Sequence, residues 1–197
     1  MRMRKMKIGF GVTGSHCTLG KAFDAARRLV VEEGAELYPI FSPAVNDTDT
    51  RFGTAAFWRQ EMKEISGREI ITTIFEAEPI GPKHLLDIMV IAPASGNTMG
   101  KLVNGIIDTP VLMAAKAHLR NGGPLIIAAS TNDGLSIGGR NIASLLNFKN
   151  VYFVPFGQDD PVHKPNSLVA NMELIPDTVA AAMKNEQIQP VLIEYLN

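Results

Sequence analysis

Four stretches of the chain bring together side chains suited to a phosphate and a flat polar ring. Gly14 and Ser15 end an apolar run, Lys7 to Val12, and lead into a helical pattern. The free N–H groups and positive dipole end of such a helix, with the Ser15 hydroxyl, suit a phosphate monoester. Ser42 follows a second apolar run, Leu37 to Phe41, and offers another hydroxyl. Pro93-Ala94-Ser95-Gly96-Asn97-Thr98 follows the most strand-like segment and opens another helix. Its small residues let a ring approach the backbone, and Ser95, Asn97 and Thr98 cluster donors and acceptors. Ser130 and Asn132 close a further strand, Leu125 to Ala129. Together these residues describe a site for a mononucleotide with a planar head.

Two better-known phosphate motifs fail. Gly9 to Gly14 spells G-x-G-x-x-G, but Gly9 lies inside the strand and the second strand ends at Phe41-Ser42 with no acid for a ribose. A dinucleotide is therefore disfavoured, and Gly9 and Gly11 are expected to admit close helix packing. Gly14 to Lys21 resembles a P-loop, but five residues separate its glycines, and Ala22 stands where Ser or Thr would hold magnesium. Other reactive residues are read more plainly. Cys17 is expected to be a small packing residue. Lys101 and Arg140, near strand ends, are solvated charges that could otherwise meet carboxylates. Asp159-Asp160 is expected to face solvent, and the segment from Gly157 to Val169 is long enough to fold over a cofactor or a neighbouring protomer. No catalytic residue is assigned.

Positioning these loops requires strands whose ends share one edge. Apolar runs at 7–12, 37–41, 70–74, 85–92, 125–129 and 151–154 alternate with helical periodicity at 19–30, 55–65, 97–104, 111–119, 141–146 and 174–183. Pro93 is expected to stop its strand, and Gly34 to cap the first helix. Several strands are apolar throughout, which implies a parallel sheet covered on both faces. The expected fold is α/β, a Rossmann-like doubly wound parallel sheet with helices on both faces, whose ligands sit at the carboxyl ends of the strands. One domain over 1–197 is expected, with 1–5 a loose leader and 157–197 a C-terminal extension. The chain has 197 residues, 19 Lys+Arg against 20 Asp+Glu, four His and one Cys. That balance disfavours nucleic acid as a partner. The lone cysteine fits a reducing, cytoplasmic setting, and no structural zinc set or other metal site is expected. The apolar runs are far shorter than the ~18 residues of a membrane span.

The motifs GVTGS at 11–15 and PASGNTMGKLVNGIIDTP at 93–110 resemble the FMN-binding flavoprotein family, which includes cysteine decarboxylases. EAEPIGPKHLLDI at 76–88, DTPVLMAAKAHLRNGGPL at 108–125, STNDGL at 130–135 and VYFVPFGQDDPVHKPNSLVA at 151–170 resemble the dipicolinate synthase branch of that family. The resemblance implies FMN, with its phosphate at Gly14, Ser15 and Ser42 and its ring near Pro93, Ala94, Ser95, Asn97, Thr98, Ser130 and Asn132. It implies oxidation of dihydrodipicolinate to dipicolinate during sporulation. It also implies a partner, the A-type subunit of dipicolinate synthase, that carries the NAD(P), and assembly as a homo-oligomer. Three departures are visible. Gly96 replaces an alanine of P-A-[ST]-A-N-T. Of P-x-M-N-x-x-M only Asn132 survives, with Thr131 and Leu135 in place of methionines. Pro79 stands where the decarboxylases carry a catalytic histidine, and His84 is five residues out of register with it. The alternatives are a stand-alone FMN-dependent decarboxylase of a cysteinyl substrate, against which Pro79 argues, and a non-catalytic accessory protein.

Overall fold

The computed structural model describes residues 3–194. The elements run β1 (Lys7–Val12), α1 (Leu19–Val31), β2 (Glu36–Phe41), α2 (Pro43–Asn46), α3 (Ala55–Ser66), α4 (Ile74–Ala77), β3 (Ile88–Ala94) and α5 (Gly96–Val103). Then follow α6 (Pro110–Arg120), β4 (Leu125–Thr131), α7 (Gly139–Leu146), β5 (Val151–Phe153), β6 (Phe156–Gly157), β7 (Leu168–Ala170) and α8 (Ile175–Ala182). Strands β2, β1, β3, β4 and β5 lie side by side in that order, all parallel. The order reverses between β1 and β3, and a doubly wound sheet opens its ligand crevice at such a switch point. Helices α1, α3 and α8 pack together, and α5 packs with α6 and α7. All of β3 is buried, as are Ile8 to Val12 of β1 and Leu125 to Ser130 of β4. Covering by helices on both faces is what lets these strands be apolar without alternation.

Two glycines of β1 show how close that cover is. A Cβ on Gly11 would lie 2.8 Å from Val111 Cγ1, so α6 rests directly on the strand backbone. A Cβ on Gly9 would collide with Leu86 Cδ1, in the turn before β3 rather than in a helix. Gly34 has φ +74°, and its N–H donates to Val30 O at the end of α1, as a left-handed cap requires.

The structure departs from the expectations at four places. The β-branched run 70–74 contributes only a bridge, Ile71 beside Ile40. Thr73 and Glu76 form a reciprocal capping box that turns the chain into α4 instead. Pro93 does not end its strand: β3 continues to Ala94 through a break in register after Ile91, with a cis peptide before Pro93. The stretch expected as a loose leader is anchored from Met3, which is buried, and Lys5 N–H donates to Gly34 O; Met1 and Arg2 lie outside the described residues. The C-terminal stretch builds into the sheet: β7 pairs antiparallel with the end of β4, and β6 with β7. No helix among the described residues is long and apolar enough to cross a membrane.

His118 of α6 is buried, its ring against Gly123 and its Nε2 3.1 Å from Pro124 O. Burial pushes its pKa down, against weaker upward pulls from the Pro124 carbonyl and Asp87. The unfolded chain therefore binds a proton that the folded chain resists. This contribution to stability is whole above the ordinary histidine value of about 6.5 and is lost as pH falls below it. Urea denaturation of wild type should show stability falling between pH 7.5 and 5.5, and a His118→Gln variant should show a shallower fall. Equal slopes would mean that His118 does not carry the effect.

Candidate functional site

The carboxyl ends of β1, β3 and β4 are tied by hydroxyls. Thr13, buried just past β1, donates through Oγ1 to Pro93 O at 2.7 Å and accepts from Ser95 N–H at 2.9 Å. Ser15 Oγ donates to Ser130 O at 2.5 Å. Thr18 Oγ1 lies 3.0 Å from Ser130 Oγ. Ser15 makes no cap bond; a single 3-10 turn, His16–Thr18, precedes α1. Ser95 caps α5, its Oγ accepting from Thr98 N–H and lying 2.9 Å from Thr98 Oγ1. Sequence-distant loops are thereby held at fixed spacing.

Between them lies a cleft of about 550 Å³. Its floor comes from Gly14, Ser15, His16 and Cys17 after β1, and from Ser95, Gly96 and Asn97 after β3. Ser130 to Asp133 form the β4 side. Arg51 and Phe52, from the loop after α2, Asp159, Lys164 and Ser167, from the segment between β6 and β7, and Val169 of β7 complete it. Lys164 Nζ lies 3.2 Å from Asp159 Oδ2. Burial works to raise the Asp159 carboxyl, but the Ser167 hydroxyl and Lys164 outweigh it and hold it below the usual carboxylate value. The bond to Asp159 raises Lys164 in turn, so the pair is charged at neutral pH. Burial lowers the His16 imidazole, which keeps it neutral, and its Nδ1 is buried with no partner among the described residues.

Gly14, Ser15, Ser95, Asn97, Ser130 and Asn132 all line this cleft. Ser42, Pro93, Ala94 and Thr98 are buried behind it. Ser42 heads α2 without making a cap bond, and its hydroxyl is buried and unpartnered among the described residues. It stands close behind Gly14, where a Cβ would lie 3.0 Å from Ala44 Cβ.

Other assignments change. Cys17 is exposed on the cleft wall rather than packed in the core. Asp159 takes part in the cleft instead of facing solvent, whereas Asp160 pairs with exposed His163 at 3.0 Å. Lys101 is committed to Asp108 at 2.6 Å, and neither it nor Arg140 lines the cleft. His84 sits in the turn before β3, at the opposite end of the sheet: Asp87 N–H donates to Lys7 O, tying the starts of β3 and β1. It does not reach the cleft. Arg51, Phe52, Asp133 and Lys164 were not anticipated. Their only signal was position: loops following strands that end on one edge.

The chain is 50% identical over 192 residues to the B-type subunit of dipicolinate synthase from Bacillus subtilis (strain 168), covering 98% of this chain and 96% of that protein. The crystal structure of the same dipicolinate synthase component from Bacillus halodurans C superposes with a TM-score of 0.91 at 49% identity, over 100% of both chains. The FMN-dependent cysteine decarboxylase SpaF shares the fold, with a TM-score of 0.68 at 15% identity over 92% of this chain and 98% of that one. The family model described as Flavoprotein matches residues 1–194, and the chain therefore belongs to the flavoprotein family.

Proposed function

We propose that the cleft is a flavin mononucleotide site and that this chain is the flavoprotein component of a dipicolinate synthase. It would act with an A-type dipicolinate synthase subunit that carries NAD(P), in the two-electron oxidation of a dihydrodipicolinate-type ring to dipicolinate. The carrying observation is 50% identity over nearly all of both chains to a B-type dipicolinate synthase subunit. The residues present fit FMN. A phosphate needs donors, and the buried Ser42 hydroxyl has no hydrogen-bond partner among the described residues. Gly14, Ser15 and Ser42 would surround the phosphate, Ser15 by shaping the loop, since its hydroxyl is given to Ser130 O, and the loops at 93–98 and 130–132 would hold the ring. Flavin, when bound, supplies two-electron redox chemistry. The chain's own part is to hold the loops rigid through Thr13 and Ser15, with His16 lining the cleft beside them.

A nicotinamide dinucleotide on this chain is disfavoured. The loop after β2 gives the cleft Arg51 and Phe52 but no carboxylate, and Asp49 nearby is engaged by Ala55 N–H at 2.8 Å. The decarboxylase alternative lacks its base, because Pro79 lies on a 3-10 turn packed against α6 and no histidine replaces it there. We place the protein in the cytoplasm, in an assembly with further copies of itself. The test is reconstitution: both purified subunits, NAD(P) and dihydrodipicolinate should yield dipicolinate only together. Dipicolinate formed without this chain, or carbon dioxide released by this chain alone from a cysteinyl substrate, would overturn the proposal.

A further inference from the structure

The departures from the family's motifs converge on one side chain. Gly96 stands for an alanine and Thr131 for a methionine, and Asp133 follows Asn132. Thr131 Oγ1 donates to Asp133 Oδ1. A Cβ on Gly96 would lie 2.6 Å from Thr131 Oγ1 and 2.9 Å from Asp133 Oδ1. A Cβ on Gly138 would lie 2.6 Å from the same carboxylate oxygen. Approaches this close would force something to move. Neither glycine is demanded by the backbone: Gly138 has φ −71°, and Gly96 is not among the positive-φ residues. The two glycines and the threonine therefore make a seat for a carboxylate.

That carboxylate lines the cleft, and among the described residues no hydrogen bond engages its Oδ2. Beside it, Asn97 and Asn132 line the same cleft, and neither side chain is hydrogen-bonded among the described residues. The cleft lining thus offers an acceptor together with two amide donors. A flavin ring presents the complement on its pyrimidine edge, where two carbonyls flank N3–H, the only N–H of the oxidised ring. Dimethylbenzene, the other edge, has nothing to bond to such a wall. We propose, resting on the FMN site argued above, that Asp133 is the ring-orienting residue: its free oxygen accepts from N3–H, while Asn97 and Asn132 donate to the flanking carbonyls.

The test compares FMN with 3-methyl-FMN, which lacks that N–H, by fluorescence titration of the full chain. Wild type should prefer FMN by about tenfold or more, as befits a hydrogen bond to a charged acceptor. Asp133→Asn keeps the size of the side chain. Its carbonyl oxygen takes the Thr131 hydroxyl, and its NH₂ is left facing the ring, donor against donor. The preference should disappear. Gly96→Ala removes no polar group but displaces the carboxylate, and should narrow the preference as well. A wild type that binds both flavins equally, or an Asp133→Asn variant that keeps the preference, overturns the assignment and leaves the FMN site standing. A wild type that binds neither overturns the FMN site, and this assignment with it.

Discussion

Ser15→Asp is expected to lower FMN affinity by two orders of magnitude or more while leaving riboflavin binding within a few fold. Ser15 Oγ donates to Ser130 O at 2.5 Å, beside Gly14 at the mouth of β1. A carboxylate there loses that donor and brings a negative charge to within a few ångströms of the proposed phosphate. At an effective dielectric near 20, two unit charges about 5 Å apart repel by about 3 kcal/mol, and a phosphate monoester carries more than one charge. Discounted for solvent and salt, about 3 kcal/mol remains a reasonable figure, or roughly 100-fold in affinity. The fold should survive, because Asp is a good residue ahead of a helical turn. Riboflavin has no phosphate, so it separates charge repulsion from general damage to the ring site. Ser15→Ala removes the hydroxyl without adding charge and should cost about 1 kcal/mol. Unchanged FMN affinity in Ser15→Asp, with the variant folded by circular dichroism, would remove the phosphate from this loop.

Much of the site was legible because its strands are long enough to show a pattern. β1, β3 and β4 are apolar runs followed at once by small and hydroxyl residues, so their ends announced a common edge. The unforeseen parts are short or assembled at a distance. β6 and β7 span two and three residues, too few to carry a period. Their role is to bring Asp159, Lys164 and Val169 against residues more than a hundred positions earlier, which only the pairing of β7 with β4 determines. Ile70 to Ile74 has strand composition, yet one reciprocal bond pair at Thr73 and Glu76 decides for a helix. Local capping outweighs a weak β preference on an exposed stretch. Cys17 was misplaced for a related reason: a 3-10 turn precedes α1, which rotates His16 and Cys17 towards the cleft rather than the core.

Thr13 shows why stability and site cannot be separated in this fold, and Thr13→Val should reveal it. β3 loses its ladder register between Ile91 and Ala94, so the polar groups around Pro93 need another partner. Thr13 supplies it from β1. Its hydroxyl, on a residue 1% exposed, donates to Pro93 O and accepts from Ser95 N–H. Valine has the same shape and fills the same space, so no cavity forms. Both backbone groups are left without that partner in a buried setting, at about 1–3 kcal/mol each where no water can enter. We expect a loss of about 2–4 kcal/mol in urea denaturation, since the partly exposed Ser95 can recover some bonding. Thr13→Ser keeps both hydrogen bonds and loses one methyl, for about 1 kcal/mol. The order valine worse than serine is the decisive feature, because apolar packing alone would rank them the other way. FMN affinity should follow the same order, as Ser95 and its neighbours lose their tether to β1. A Thr13→Val variant as stable as wild type would show that the strand ends are held by the sheet itself, and that the hydroxyl bridge is incidental to the shape of the cleft.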